Sequence, residues 1–253
     1  VSGHSKWATI KRKKGAADAK RSDQFAKLLR AVEVAARDGG SGDVRANMTL
    51  ASAVEKARSF SVPVDTIDRA IKRGTGELEG GTKYEEVAYE GYAPGGVAVF
   101  VETLTDNRNR TAQDVRHAFA RQGGNLGESG STAWMFSRKG LIQIDKEAAP
   151  DEDALLELAL EAGAEDLNDA ESTWEITTDP TALRAVADAV ASAGIALLSA
   201  ELTMVPQSTV PVEGAQARQV LTLLETLEDL DDVQNVYANF DMPEAEMAEA
   251  DLG

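Results

Sequence analysis

The chain contains no cysteine and only two histidines, His4 and His117. The first absence excludes disulfides, thiolate metal sites, iron–sulfur clusters and thiol nucleophiles, and it fits a reducing compartment. The second excludes a histidine-rich metal centre. Aromatic residues are scarce, at 5%, so the cores must be built mostly from Ala, Val, Leu and Ile. No run approaches the roughly 18 consecutive apolar residues that a membrane helix needs. The first thirty residues are basic and lack an apolar stretch, so no secretory signal is expected there. A cytoplasmic protein with no membrane attachment and no cofactor is the expectation. What is present is ordinary for a globular chain: 253 residues, 43% hydrophobic and 27% charged, enough for two or three domains.

The net charge of −17 hides a split. Residues 1–73 carry 16 Lys/Arg against 8 Asp/Glu, whereas residues 74–253 carry 10 against 35. Within residues 1–30 the excess is already +7, from 9 basic and 2 acidic side chains. Such asymmetry points to polyanion contact by the basic end, with the acidic remainder repelling phosphate and orienting the approach. A solvated basic tail is the plainer alternative.

Residues 1–21 have no apolar period and read as a basic arm. From Ser22 a helical period runs through Phe25, Leu28, Leu29, Val32, Ala35 and Ala36, and Gly39-Gly40 ends it. Two further helices follow, with Met48, Leu50, Val54, Ala57 and Phe60 on one, and Ile67, Ala70 and Ile71 on the other. Residues 22–76 are therefore expected to form a three-helix bundle. The passage from Gly74 to Thr82 contains four glycines and reads as a hinge. Beyond it, strands at Glu86–Tyr92 and Val97–Thr105, a helix over 109–121 and a strand at Ser131–Phe136 are expected. Residues 137–206 then run strand-helix-strand-strand-helix-strand, a ferredoxin-like order. The helix Gln216–Leu227 and strand Val233–Phe240 cannot make a core alone, so residues 207–240 are expected to complete the unit begun at 83–136. The fold class expected is α+β: an N-terminal three-helix bundle, then two α/β (ferredoxin-like) domains, the third inserted in the second. Residues 241–253 form an acidic tail.

Candidate binding residues concentrate in the arm. Lys6, Lys11, Arg12, Lys13, Lys14, Lys20 and Arg21 stand close together with Asp18 as their only acid. A segment that neutralises several phosphates gains affinity by releasing condensed counterions. Trp7 offers a face on which a base could stack, or it could pack on the bundle; His4 could donate to a phosphate or merely be exposed. Arg69, Lys72 and Arg73 end the third helix, where they either extend the basic face or offset the helix dipole. Arg108 and Arg110 stand at a helix start, against the local dipole, so they either pair with nearby carboxylates or meet an external anion. The glycine-rich passage Gly123–Gly130 follows a helix and precedes a strand, the reverse of a phosphate loop, and reads as a structural turn. No catalytic constellation is visible, although carboxylate-only magnesium sites have many possible members in so acidic a chain.

The Gly3-His4-Ser5-Lys6-Trp7 opening, the Lys11–Lys14 run, Asp18–Arg21, Ala70–Gly76, Tyr89–Gly96, Thr105–Thr111 and Gly123–Trp134 together resemble the YebC/PmpR family. The likeness is strongest over residues 3–140, and Val1 stands where that family has Met. The resemblance implies three domains and no catalytic residues. It implies a DNA-binding transcriptional regulator, as bacterial members are described, or a translation factor acting on RNA or the ribosome, as relatives in mitochondria are described. In either case the basic N-terminal residues would carry binding to DNA or ribosomal RNA. A monomeric, non-enzymatic regulator is expected, and a metal-dependent nucleotide or phosphate enzyme is the remote alternative.

Overall fold

The structure is a computed structural model, and it describes residues 18–148, 151–243 and 246–247. It opens with three helices, α1 (Asp18–Asp38), α2 (Met48–Ser59) and α3 (Val64–Gly74). Leu28, Val32 and Ala36 of α1, Leu50, Val54 and Ala57 of α2, and Ile67 and Ala70 of α3 close on one core. Each buried Leu or Ile contributes about 1.5–3 kcal/mol, and the alanines between them let the axes approach. Asn47 fixes the entry to α2. Its Oδ1 accepts from Leu50 N at 3.0 Å, and its Nδ2 donates to Ala35 O at 2.8 Å, so one side chain caps α2 and ties it to α1.

Helix α1 begins four residues before the expected Ser22, so Lys20 and Arg21 lie on its first turn and not in an extended arm. Asp18–Arg21 has no large apolar side chain to reveal a period, yet Ala, Lys and Arg are strong helix formers. The glycine-rich passage after α3 is tied back to that helix, with Leu78 N donating to Lys72 O at 3.1 Å. Gly74 is needed for close approach: a Cβ there would stand 2.3 Å from Glu33 O, inside the contact between α3 and α1.

The second unit starts with β1 (Glu85–Ala93), β2 (Val97–Thr105), α4 (Arg108–Arg121) and the short β3 (Asn125–Leu126). The chain then leaves for β4 (Phe136–Asp145), α5 (Glu152–Glu161), β5 (Ala164–Ala170), β6 (Thr173–Thr178), α6 (Leu183–Ser192) and β7 (Ser199–Pro206). It returns through β8 (Val210–Pro211), α7 (Gly214–Glu228), β9 (Val233–Ala238) and β10 (Phe240–Asp241). Strand β9 pairs antiparallel with β2, Phe100 opposite Tyr237, giving the sheet order β3-β1-β2-β9. Val97, Val99 and Val101 turn one face of that sheet onto Val115 and Phe119 of α4 and Val220, Leu224 and Leu227 of α7. On the other face Ala98, Phe100 and Tyr237 meet Phe136.

The inserted unit has the order β5-β6-β4-β7, the antiparallel ferredoxin-like arrangement. The middle sheet reaches four strands by a different route, since its first two strands form a hairpin and its last arrives after the insertion. Ile142 and Ile144 of β4 and Trp174 and Ile176 of β6 face Leu155 and Ala159 of α5 and Val186 and Val190 of α6.

The expected strand at Ser131–Phe136 is absent: Ala133–Met135 is a 3-10 turn, and β4 starts only at Phe136. The cause is Glu90 on β1. Its carboxylate accepts from the backbone N–H groups of Gly130, Thr132 and Ala133, each at 2.7 Å, which curls that backbone around one side chain. Burial alone would raise the Glu90 carboxyl, but these three amide donors hold it below the usual carboxylate range.

Gly74→Ala is expected to lower stability by about 1–3 kcal/mol through overpacking, read as a lower urea midpoint. An unchanged midpoint would contradict the close-approach account. Glu90→Gln is expected to flatten the acid limb of unfolding. A carboxyl whose folded pKa is depressed stabilises above its unfolded value of about 4.3 and loses that contribution as pH falls through the folded one. An acid unfolding curve identical to that of the unsubstituted protein would exclude the role given to Glu90.

Candidate nucleic-acid interface

The electrostatic organisation of the N-terminal half turns on one acid. Asp232, in the turn between α7 and β9, is 5% exposed. Its Oδ2 accepts from Thr111 Oγ1 at 2.6 Å, Thr105 Oγ1 at 3.2 Å and Arg110 Nη2 at 2.7 Å; its Oδ1 accepts from Arg30 Nη1 at 3.0 Å. Burial would push the Asp232 carboxyl up, but the donors from Arg110 and Thr111 hold it below the ordinary carboxylate range. The same guanidinium of Arg30 also donates to Leu104 O at 3.0 Å and Asp231 O at 2.9 Å, and it lies 4.8 Å over the Tyr84 ring. Arg30 belongs to α1 and the remaining partners belong to the middle unit, so this cluster docks the helical bundle.

Lys27, three residues earlier and on the same side of α1, donates to Glu228 O at the end of α7. Burial lowers its pKa, partly offset by Asp229, Asp231 and Glu228. Lys56 of α2 makes a third tether: its Nζ is 3.4 Å from Asn235 Oδ1 on β9 and 3.9 Å from Glu201 Oε2 on β7. Asn235 in turn donates to Glu102 Oε2 at 2.9 Å, and Tyr237 OH donates to the same oxygen at 3.2 Å. Burial, then Glu102, push the Tyr237 phenol up. The bundle therefore touches both other units through cations of its own.

The residues singled out in the sequence fall into three groups. His4, Lys6, Trp7, Lys11, Arg12, Lys13 and Lys14 lie outside the described residues. Lys20 and Arg21 stand on the first turn of α1. Arg69 and Lys72 are exposed on α3, while the half-buried Arg73 binds Glu33 of α1, Nε to Oε2 at 2.9 Å. Arg108 is exposed, with Nη1 3.8 Å from Glu85 Oε2. Arg110 takes the internal alternative of the two its position offered. It bridges Asp106 at 2.8 Å and Asp232 at 2.7 Å, and both raise its pKa, so this side chain organises α4 against the β9 turn.

Lys27 and Arg30 are docking residues that the sequence conceals, because they fall within the basic excess of residues 1–30. Their spacing of three on one helix face, set against the acid run Glu228-Asp229-Leu230-Asp231-Asp232, is the signal that could have separated them. Trp134, at the end of the Gly123–Trp134 motif, is 65% exposed, with Nε1 donating to Ser131 O at 3.1 Å. The Gly123–Gly130 passage leads from α4 through β3 into the turn that Glu90 clamps, so it holds a carboxylate where a phosphate loop would hold phosphate. Among the described residues, no three His, Cys, Asp or Glu side chains are grouped so as to hold a metal ion. No described helix is long and apolar enough to cross a membrane.

Comparison with known proteins matches this architecture. Residues 5–77 match a family model described as the TACO1/YebC protein N-terminal domain, and residues 84–240 match one described as the TACO1/YebC second and third domain. A protein of Syntrophus aciditrophicus named "Probable transcriptional regulatory protein" is 53% identical over 244 residues, covering 96% of this chain and 97% of its own. One of Rubrobacter xylanophilus with the same name is 55% identical over 249 residues, covering 98% and 99%. The crystal structure of a conserved hypothetical protein, Aq1575, from Aquifex aeolicus aligns with a TM-score of 0.77 at 46% identity, covering 89% of this chain and 92% of that one.

Asp232→Ala is expected to cost on the order of 3 kcal/mol, because it strands the largely buried Arg30 guanidinium and the Thr105 and Thr111 hydroxyls. It should also loosen the bundle, read as faster amide exchange in α1 around Lys27 and Arg30 with the core of the inserted unit unchanged. Equal exchange in α1 would show that Asp232 does not hold the bundle in place.

Proposed function

This chain belongs to the TACO1/YebC family, and from that premise we propose that it is a non-enzymatic regulator of gene expression that works by gripping nucleic acid. The observation that carries the reading is where the basic excess of the sequence stands. Of the 9 basic side chains in residues 1–30, Lys27 and Arg30 are bound to the middle unit, and the other seven precede Ser22. Those seven sit ahead of a body that is strongly acidic from residue 74 onward. A polyanion is attracted to the front of the molecule and repelled from the rest. Lys6, Lys11, Arg12, Lys13, Lys14, Lys20 and Arg21 contact phosphates in this reading, His4 and Trp7 supply a donor and a stacking face, and Arg69 and Lys72 lengthen the basic track. The transcriptional name carried by the relatives favours DNA as the target.

A second reading, an RNA or ribosome target, is favoured by the faces of the bundle helices. Helix α3 exposes Asp65 and Asp68 beside Arg69 and Lys72, and α2 exposes Met48, Thr49, Ser52 and Glu55 beside the cations Lys56 and Arg58 of its last turn. A major-groove reader presents Arg, Asn or Gln along one exposed face, and carboxylates there would meet phosphates unfavourably. Such a bundle suits a grip on the sugar–phosphate backbone, which folded RNA supplies as well as duplex DNA.

Deleting residues 1–17 leaves α1 whole and is expected to abolish binding to duplex DNA and to ribosomal RNA fragments, while thermal unfolding of the remainder is retained. Charge-neutralising changes among Lys11–Lys14 should flatten the slope of log affinity against log salt by about 0.9 per contact on duplex DNA and about 0.7 on single strands. Binding of the truncated chain as tight as that of the full chain would refute the assignment. Crosslinking in cells, followed by sequencing of bound DNA and bound RNA, separates the two targets.

A further inference from the structure

The sheet of the inserted unit has two unlike faces. Ile142, Ile144, Trp174 and Ile176 point to α5 and α6, so their neighbours along β4 and β6 point the other way, to a face on which neither helix of the unit lies. An antiparallel sheet commonly leaves such a face to water. Here the middle of that face is closed off: Leu141 is 7% exposed, Gln143 is 2% exposed and Glu175 is 5% exposed, with Thr173 buried at its end. Gln143 Nε2 donates to Glu175 Oε1 at 3.0 Å, and Ser199 Oγ donates to Gln143 Oε1 at 3.0 Å, so the buried middle is a polar network with one leucine, Leu141, beside it. Burial of a polar network on a helix-free face calls for a polar cover.

The charge of the face says what kind. Strand register places Asp166, Glu175 and Glu201 on it, with Asp145 at its end and Lys139 as its cation. Lys139 is itself held by Glu165 at 2.7 Å. The face is therefore acidic, and its complement is a basic strand. The bundle already adjoins it, since Lys56 of α2 is 3.9 Å from Glu201. The segment ahead of α1, residues 1–17, holds Lys6, Lys11, Arg12, Lys13 and Lys14 and contains no acid. At about 3.3–3.6 Å per extended residue, seventeen residues reach roughly 56–61 Å. The 21-residue α1 is only about 32 Å long at 1.5 Å per residue, so the segment reaches the face whichever way α1 runs.

We propose that the outer face of the inserted sheet is the resting place of the chain's own residues 1–17, and that nucleic acid and this face compete for the same lysines. The acids imitate a phosphate track in cis. Docked, the basic segment is withheld from weak or non-specific polyanions; only a target that outbids the face draws it out. This rests on the reading of residues 1–17 as the nucleic-acid grip, and it adds a built-in threshold to that grip.

The absence of cysteine lets one label pair report the docking in the full chain. Ser5→Cys with Asn168→Cys, spin-labelled, is expected to give a narrow distance within about 20 Å, the width of a four-stranded sheet. Ser5→Cys with Leu160→Cys, on the helix side, is expected to give a longer one. The short distance should persist when labelled protein is diluted with unlabelled chain, and should become long and broad when a duplex or a ribosomal RNA fragment is added. Asp166→Asn combined with Glu201→Gln should tighten nucleic-acid binding, by about tenfold if the docked form is near 90% populated. A long, broad distance in the free protein overturns the proposal. So does a short distance that vanishes on dilution, which would place the segment on a second copy, and so does an unchanged affinity in the double variant. A short distance in the free chain, together with undiminished binding after deletion of residues 1–17, would instead keep the docking and remove the nucleic-acid reading beneath it.

Discussion

A buried carboxylate that must collect its donors from two units fixes the relation between the bundle and the body. Asp232 accepts from Thr105, Thr111 and Arg110 within the middle unit and from Arg30 of α1. Removing it would leave Arg30, which is 17% exposed at its side chain, without its main anion. Exposed ion pairs contribute little, about 0–1 kcal/mol, so the pair of Arg108 with Glu85 is a minor term. The Asp232 cluster differs because burial makes each lost donor costly. With Lys27 and Arg30 anchored beside it, α1 is held along the acidic end of α7.

That anchoring decides which charges are left for a polyanion. The acidic body already pairs with Lys27, Arg30, Lys56 and Arg110. The densest positive charge in the sequence is the segment ahead of α1, with five Lys/Arg and no acid in residues 1–17. The same reasoning explains why the acids of the inserted sheet matter: a surface that attracts cations from outside attracts the chain's own cations first.

Much of the fold was legible because its signals were local. The three apolar stripes of the bundle, the strand-helix-strand-strand-helix-strand order of the inserted unit, and the insufficiency of the last helix and strand as a core all appear in the sequence. What was not legible depended on partners far along the chain. The strand expected at Ser131–Phe136 was lost to Glu90, some forty residues earlier, whose carboxylate curls that backbone. The first turn of α1 carries a helix on propensity alone, with no period to read. Arg110 offered two equal readings until β9 placed Asp232 beside it, 122 residues later. Lys27 and Arg30 looked like part of a basic tail because the acids that bind them are about 200 residues away. Charge counts along a sequence locate an excess; only the fold says which members of it are already occupied.

The most direct test of the central claim is to photocrosslink the full protein to bound nucleic acid and map the adducts by peptide mass spectrometry. The account predicts adducts concentrated in residues 1–21, with Trp7 and the Lys11–Lys14 run foremost and the α3 cations Arg69 and Lys72 at the margin. Adducts centred instead on the exposed Arg116, His117 and Arg121 of α4, or on the inserted unit, with the N-terminal residues clear, would contradict it.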